Sequence, residues 1–557
     1  MTEFSVWAPN RSRVRVHNGP SVHEMSRGED GWWRAEVPAA APDYAFQLDD
    51  EPDELPDPRS RWQPDGVHQR SRSYDHNAFQ WTDSAWSGRA LPGGVVYELH
   101  IGTFTPEGTF DAAIDKLDHL VDLGIDFVEV LPVNAFDGPH GWGYDGVLWY
   151  ATHDPYGGPD GFKHFVDACH NRGLAVLLDV VYNHLGPSGA YLDRFGPYFA
   201  GETIWGPTLN LDGPQSDEVR QYVIDNALGW LRDFHVDGLR LDAVHALSDR
   251  RATHLLEELS SEVDALAAHV RRPLTLIAES DLNDAKLVTP REANGYGLHA
   301  QWSDDLHHCL HSTLSGETQG YYADFGSLQA LAATLTRVFW HAGTWSSFRG
   351  RHHGRPVNTL TMPGHRFLAY LQNHDQIGNR ATGDRLSATV SPGLLACGAA
   401  IVLCSPYTPM IFMGEEWAAS TPWQFFASFP DPKLADAVRT GRRKEFADHG
   451  WAAEDVPDPM DPATFQRSKL RWEEVDNSEL LAVYRALIAL RRNHPELSDP
   501  RLHQFTVDLD EDRRVVTLHR GRLRVVCNLG GAPIDAPGTV LYSSKSPGAP
   551  ESVTVLS

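Results

Sequence analysis

The rhythm of apolar and polar positions changes twice along the chain. Residues 1 to about 85 carry short alternating runs, FSVWAP, RVRVH, GWWRAEV and YAFQL, broken by clusters of Asn, Gly, Pro and Asp. Alternation with period two between turn formers predicts a small β-sandwich. The Pro-, Asp- and Arg-rich stretch from Asp50 to Asp65 reads as a linker or docking loop. From about residue 94 the runs VVYELH, DFVEVLP, LAVLLDVV, GLRLD, LTLIAE, RFLAYLQNHD and PMIFMG are almost wholly apolar, as in strands buried on both faces. Between them apolar residues recur at helical spacing: Ile114, Leu117 and Val121 ahead of Gly124, then YVIDNALGWLRDF and LLEELSSEVDALAAHV. Strands alternating with helices make a parallel sheet. This many units predict an α/β fold, a (β/α)₈ TIM barrel with insertions. The helix from Glu479 to Arg492 closes that pattern, and FTVDL, RVVTLHR, RLRVVCNL and TVLYSS return to alternation. The expected organisation is an N-terminal β-sandwich (1–85), a catalytic barrel (86–493) and a C-terminal antiparallel β domain (494–557).

Composition narrows the functional classes. The hydrophobic share is 41% and the charged share 22%, both globular values. A net charge of −27 argues against nucleic acid, whose phosphates require a basic face. The five cysteines are scattered, with no CxxC pair, so a reducing compartment, the cytoplasm, is expected. The start MTEFSVWAPN lacks a basic segment followed by an apolar stretch, so no leader is expected. The most apolar run, Leu394 to Cys404, is too short to span a bilayer, and no membrane partner is expected.

Four acidic residues end apolar runs: Asp179 in LLDVVYNH, Asp242 in DGLRLDAVH, Glu279 in LIAES and Asp375 in LQNHDQIGN. One such acid is as often a helix cap as a reacting group. Four together, beside His184, Arg240, His245 and His374, match the place where barrel enzymes keep their chemistry. Glycoside cleavage needs an acid for the leaving oxygen and a carboxylate for the anomeric carbon, with the two about 5–5.5 Å apart in retaining enzymes. Arg240 lies two residues before Asp242, on the same strand face, where it can keep that carboxylate ionised.

DVVYNH, DGLRLDAVH, the run ending at Glu279, and NHD resemble the four signature regions of the α-amylase family. The resemblance implies Asp242 as nucleophile, Glu279 as general acid/base and Asp375 as transition-state stabiliser. It also implies that Arg240, His184, His374 and Tyr144 (in GWGYDG) hold the sugar before the scissile bond and that Asp179 is structural. Asn183 matches a calcium ligand of many family members, but no calcium loop accompanies it, so it is read as structural. VYELHIGTFTPEGTF, GWGYDGVLWYATHDPYGGPDG, WGPTLNLDGP, QWSDDLHHCLH and LQNHDQIGNRATGDRL extend the similarity, along nearly the whole chain, to maltooligosyltrehalose trehalohydrolases. That resemblance implies release of trehalose from a trehalose-capped α-1,4-glucan. It implies substrate contacts from His245, Asp304, Asp305, His307, His308, Gln376 and Asn379, and a maltooligosyltrehalose synthase as supplier of substrate. No metal and no organic or redox cofactor is expected.

Other readings stand beside these. A branching or debranching enzyme carries a similar leading domain, and an inactive barrel serving as an interaction subunit is a third possibility. His307 and His311 have the spacing of helical zinc ligands, but no HExxH accompanies them. The long segment Gly186 to Pro214, with Tyr191, Phe195, Tyr198, Phe199 and Trp205, is expected to line the sugar or to pack as a loop. The segment Trp340 to Pro356 is assigned to the leaving-group side. Trp32 and Trp33 are adjacent, so one ring faces in and one out.

Overall fold

The computed structural model describes residues 1–38, 40–203, 206–447 and 455–557. Its centre is a closed barrel of eight parallel strands, each hydrogen-bonded to its neighbours in chain order: β1 Val96–Leu99, β2 Phe127–Val130, β3 Ala175–Val180, β4 Gly238–Leu241, β5 Thr275–Ala278, β6 Ala300–Trp302, β7 Phe367–Tyr370 and β8 Thr408–Phe412. Seven of these are the apolar runs above. β6 is only three residues long and has no apolar run to announce it.

Helices follow the strands, among them Gly158–His170, Ser216–Asp233, Leu255–Val270, Asp304–Ser315, Pro392–Cys404 and Glu479–Asn493. The connection from β5 to β6 departs from the pattern, for it holds only the 3₁₀ turns Ala285–Val288 and Arg291–Ala293. Leu117–Leu123 stops at Gly124, whose φ of 98° needs a residue without a side chain. Among the described residues no helix is long and apolar enough to cross a membrane.

Inside the barrel the layers differ in chemistry. Val96, Phe127, Leu177, Ile277, Ala300, Leu368 and Met410 form a dry core at the N-terminal end of the strands. Gly238 joins this layer because a Cβ there would lie 2.5 Å from the Thr275 carbonyl oxygen. Two residues further along, side chains again point inward, and this layer is polar: Glu98, Glu129, Asp179 and Arg240, all 0% exposed.

Two antiparallel sheets precede the barrel. Thr2–Trp7, Trp32–Val37 and Ser26–Arg27 form one; Ser21–Glu24, Val14–Asn18, Asp43–Leu48 and Ser71–Arg72 form the other. They rest on the long segment after β3: Phe195 meets Phe46 and Tyr198 meets Trp7 edge to face. These two rings are therefore loop packing, not sugar lining. Tyr191 hydrogen-bonds His68, and Trp205 lies outside the described residues. Trp33 faces in and donates to the Ala8 carbonyl, while Trp32 packs under Arg59 and donates to Glu218 on Ser216–Asp233. The tail is a five-stranded antiparallel sheet, Thr506–Asp510, Val515–Arg520, Leu523–Asn528, Ser552–Leu556 and Val540–Ser543 in spatial order. It covers the apolar helix Pro392–Cys404, which explains why that helix has no polar face.

Candidate active site

The acids that ended apolar runs stand at the C-terminal mouth of the barrel, where β3, β4, β5 and β7 finish. Arg240 organises them. Its Nη1 donates to both Asp179 oxygens at 2.9 and 3.0 Å and to Asp242 Oδ1 at 2.6 Å, and Nη2 lies 3.5 Å from Glu279 Oε2. A single buried guanidinium thus brings Asp242 and Glu279 to one place. Trp302 backs it, its ring centroid 4.3 Å from the guanidinium carbon.

Backbone geometry refines this arrangement. Ala243 has φ of 40°, a left-handed conformation that costs energy for a residue with a Cβ. This turn aims the Ala243 N–H at Glu279 Oε2, 2.6 Å away. One oxygen of Glu279 is thereby occupied, leaving Oε1 to carry a proton. Burial, opposed by Arg240 and reinforced by Asp242, Asp375 and Asp304, pushes the Glu279 carboxyl up to about 8. It is therefore held protonated at neutral pH, as a general acid must be. Asp242 is anchored on its other side by Asn183, which donates to Oδ2 at 2.5 Å and to the backbone carbonyl at 3.0 Å.

His374 and Tyr144 complete the floor. The rings stack with centroids 5.0 Å apart. Tyr144 Oη donates to Asp179 Oδ2 at 2.5 Å and accepts from His374 Nε2 at 2.7 Å. His184 holds the Tyr144 carbonyl at 3.0 Å and contacts Asn183. Asp375 is the most open acid, its side chain 38% exposed. It has only long contacts, 3.4 Å from Asn379 Nδ2 and 3.6 Å from His374 Nε2.

The remaining expected contacts separate into two groups. His245 approaches Asp281, just beyond Glu279, at 3.8 Å. Asp304 accepts a short hydrogen bond from Tyr370, and burial pushes it up to about 6. Gln376 and Asn379 stand on the turn His374–Gly378 and at its end, partly or fully exposed. Asp305 and His307, by contrast, are committed to the fold. Asp305 Oδ2 accepts from Asn283 Nδ2 and from the backbone N–H groups of Trp340 and His341 at 2.8–2.9 Å. His307 bonds the Leu371 carbonyl and Tyr322. These two thereby fasten the segments around β6 and β7 to one another. His308 packs among Tyr321, Tyr322 and Phe325. His311 pairs with Glu317 at 2.8 Å, and among the described residues no group of His, Cys, Asp and Glu is placed to hold a metal ion.

Residues 68–197 match the family described as Alpha amylase, catalytic domain. The malto-oligosyltrehalose trehalohydrolase of Mycobacterium tuberculosis is 56% identical over 557 residues, covering 98% of this chain and 96% of its own. That of Arthrobacter ramosus is 57% identical over 545 residues, covering 96% and 94%. The chain belongs to the malto-oligosyltrehalose trehalohydrolase family. A solved structure described as a putative alpha amylase from Salmonella typhimurium is 39% identical, with a TM-score of 0.91 over 100% of this chain and 97% of its own.

Two features of this trehalohydrolase-family site were missed in the sequence reading. Asn183, read there as structural, touches the Asp242 carboxylate itself. Glu98 and Glu129 lie inside the barrel directly below the acids. An acid within an otherwise apolar strand run, as in VYELH and FVEVL, is the signal that marks both.

Proposed function

We propose that this chain is a retaining glycoside hydrolase that cleaves the α-1,4 bond next to the terminal trehalose of maltooligosyltrehalose. The observation that carries the chemistry is the convergence of Asp242 and Glu279 on Arg240. In this reading the maltooligosaccharide occupies the donor side, held by Tyr144, His184, Arg240 and His374, and trehalose is the leaving group. Glu279 protonates the glycosidic oxygen as Asp242 attacks the anomeric carbon, giving a covalent glycosyl–enzyme and free trehalose. Glu279, now a carboxylate, takes a proton from water, whose oxygen displaces Asp242 with net retention. Asp375 sits beside this centre as the extra negative charge for an oxocarbenium-like transition state.

The leaving side lies beyond Glu279. There the hairpin Thr344–Ser346/Arg351–His353 presents Trp345 and Phe348, both more than half exposed, and Arg349 reaches Asp281 at 3.1 Å. We assign this hairpin to trehalose. The relatives' identity over nearly the full chain favours this activity over branching or debranching, and intact catalytic carboxylates favour it over an inactive barrel. A maltooligosyltrehalose synthase is the proposed supplier of substrate. Five buried, unpaired thiols support a cytoplasmic setting.

The test is incubation with maltooligosyltrehalose beside plain maltooligosaccharide, with glucose, maltose and trehalose resolved. Trehalose from the first, and far slower release of any sugar from the second, is expected. New α-1,6 branches, or equal cleavage of both, overturns the assignment.

A further inference from the structure

Inside the barrel, β1 and β2 pair Glu98 with Glu129 in register, two carboxyl groups side by side and 0% exposed. Their surroundings differ. Glu98 spends both oxygens on one residue: Oε1 accepts from His374 Nδ1 at 2.6 Å, and Oε2 from the His374 backbone N–H at 3.0 Å. His374 Nε2 meets Tyr144 Oη, whose own proton is directed to Asp179. The hydroxyl has one proton, so Nε2 must be the donor to it. Nδ1 faces a carboxylate and is a donor too. Both ring nitrogens therefore carry hydrogen, and the ring is an imidazolium whose plane and charge are set from below.

We propose that Glu98 is a positioning residue for the hydrolytic site, holding His374 charged and in register beneath the donor sugar. The proposal rests on the function proposed above, since it presumes that His374 meets that sugar. The groups facing His374 are Glu98, Glu129, His100, Tyr144, Asp179, Arg240 and Asp375. Burial favours the neutral ring, but Asp375 and Glu98 outweigh it and hold His374 up to about 9. Burial raises Glu129, with Glu98 and Asp179 adding to the effect, while Glu98 keeps both of its oxygens on His374 from below. Arg240 and His100 oppose the charge on His374 and, with burial, are left less opposed when Glu98 is neutralised.

The experiment is the pH dependence of kcat/KM on maltooligosyltrehalose for wild type, Glu98→Gln, His374→Gln and the double variant, each checked for folding by circular dichroism. In Glu98→Gln we expect kcat to fall about tenfold or more, as when the acid orienting a catalytic imidazole is neutralised. On the alkaline side Glu279 is lost first, near 8, and His374 second, near 9. The limb that reports His374 is this second one, which should move to lower pH by about one unit or more and merge with the first, and the substitution should add little in the His374→Gln background. An unmoved limb, or a loss that adds in full to that of His374→Gln, overturns the proposal. If Glu98→Gln does not fold, Glu98→Asp keeps the charge but shortens the reach. A reduced kcat with the limb in place supports the proposal, and wild-type values overturn it. Failure of wild type to release trehalose instead sinks the underlying assignment, independently of the variants.

Discussion

Two buried histidines stand at opposite mouths of the barrel, each among carboxylates. At the N-terminal mouth, His170 lies between Asp83 and Asp237, with Nδ1 at 2.9 Å and Nε2 at 2.8 Å. Asp237 also accepts from Trp86 Nε1, the Val176 N–H and Arg272, and Asp83 also meets His235 at 2.8 Å. Burial alone would raise Asp83, but His170 and His235 hold it well below the ordinary carboxylate range. At the C-terminal mouth, His374 lies among Glu98, Tyr144 and Asp375, but the acids around it are not all satisfied. Asp375 is open to solvent with long contacts only, and one oxygen of Glu279 has no partner among its hydrogen bonds. The same residue types thus make a clamp whose histidine has both ring nitrogens on buried carboxylates and a reactive site where one carboxylate, Asp375, stays open to solvent. Spare capacity for hydrogen bonds and protons distinguishes chemistry from scaffolding here.

The contrast is broken most severely by Asp242→Asn. We expect trehalose release to fall roughly 10³-fold or more, with an unchanged circular dichroism spectrum. His170→Asn should do the converse, leaving kcat per folded molecule within about twofold of wild type while costing about 3–5 kcal/mol in urea unfolding, because two buried carboxylates lose their partner. If His170→Asn instead removed activity at full stability, the distinction between the mouths would be wrong.

Glu279→Gln sharpens the comparison through pH. Glu279 has a folded value near 8, above the ordinary carboxyl. Its contribution to stability is therefore fully present below about pH 4.5 and lost as pH rises through 8. The Gln variant cannot ionise, so it should gain stability over wild type between pH 5 and 9, on the order of 2 kcal/mol by denaturant titration at each pH. A constant difference across that range would show that Glu279 is not held protonated. His170 is raised as well: burial lowers it, but Asp237 and Asp83 prevail. The contribution of His170 is full below about pH 6.5 and is lost as pH rises through its folded value, which His170→Asn should abolish. The smallest effect is expected for Asn183→Ala, which removes one hydrogen bond to the Asp242 carboxylate. About a tenfold loss in kcat with little change in KM is the expected outcome.

Much of this was legible in the chain. Seven barrel strands are apolar runs because both of their faces are buried, and Leu255–Val270 is the helix that its spacing describes. β6 was not legible: at three residues it has no periodicity, and it is a strand only because β5 and β7 pair with it. Substrate contacts at Asp305 and His307 are implied by the family resemblance, and what the chain did not announce is how the fold holds these two residues. Their partners Asn283, Trp340, His341, Tyr322 and Leu371 come from segments that no local pattern joins to them. The His170 clamp was invisible for the same reason, with Asp83 and Asp237 far from it in sequence.

The sequence alone determined seven of the eight barrel strands, the helices between them and the inventory of reacting groups, because periodicity and strand-end position are local properties that each segment carries. Tertiary structure decided the state of those groups. Glu279 is protonated, His374 is charged and His170 is saturated because of burial and of neighbours delivered by other strands. The field at a carboxyl or an imidazole is a sum over residues that only the closed barrel brings within a few ångströms.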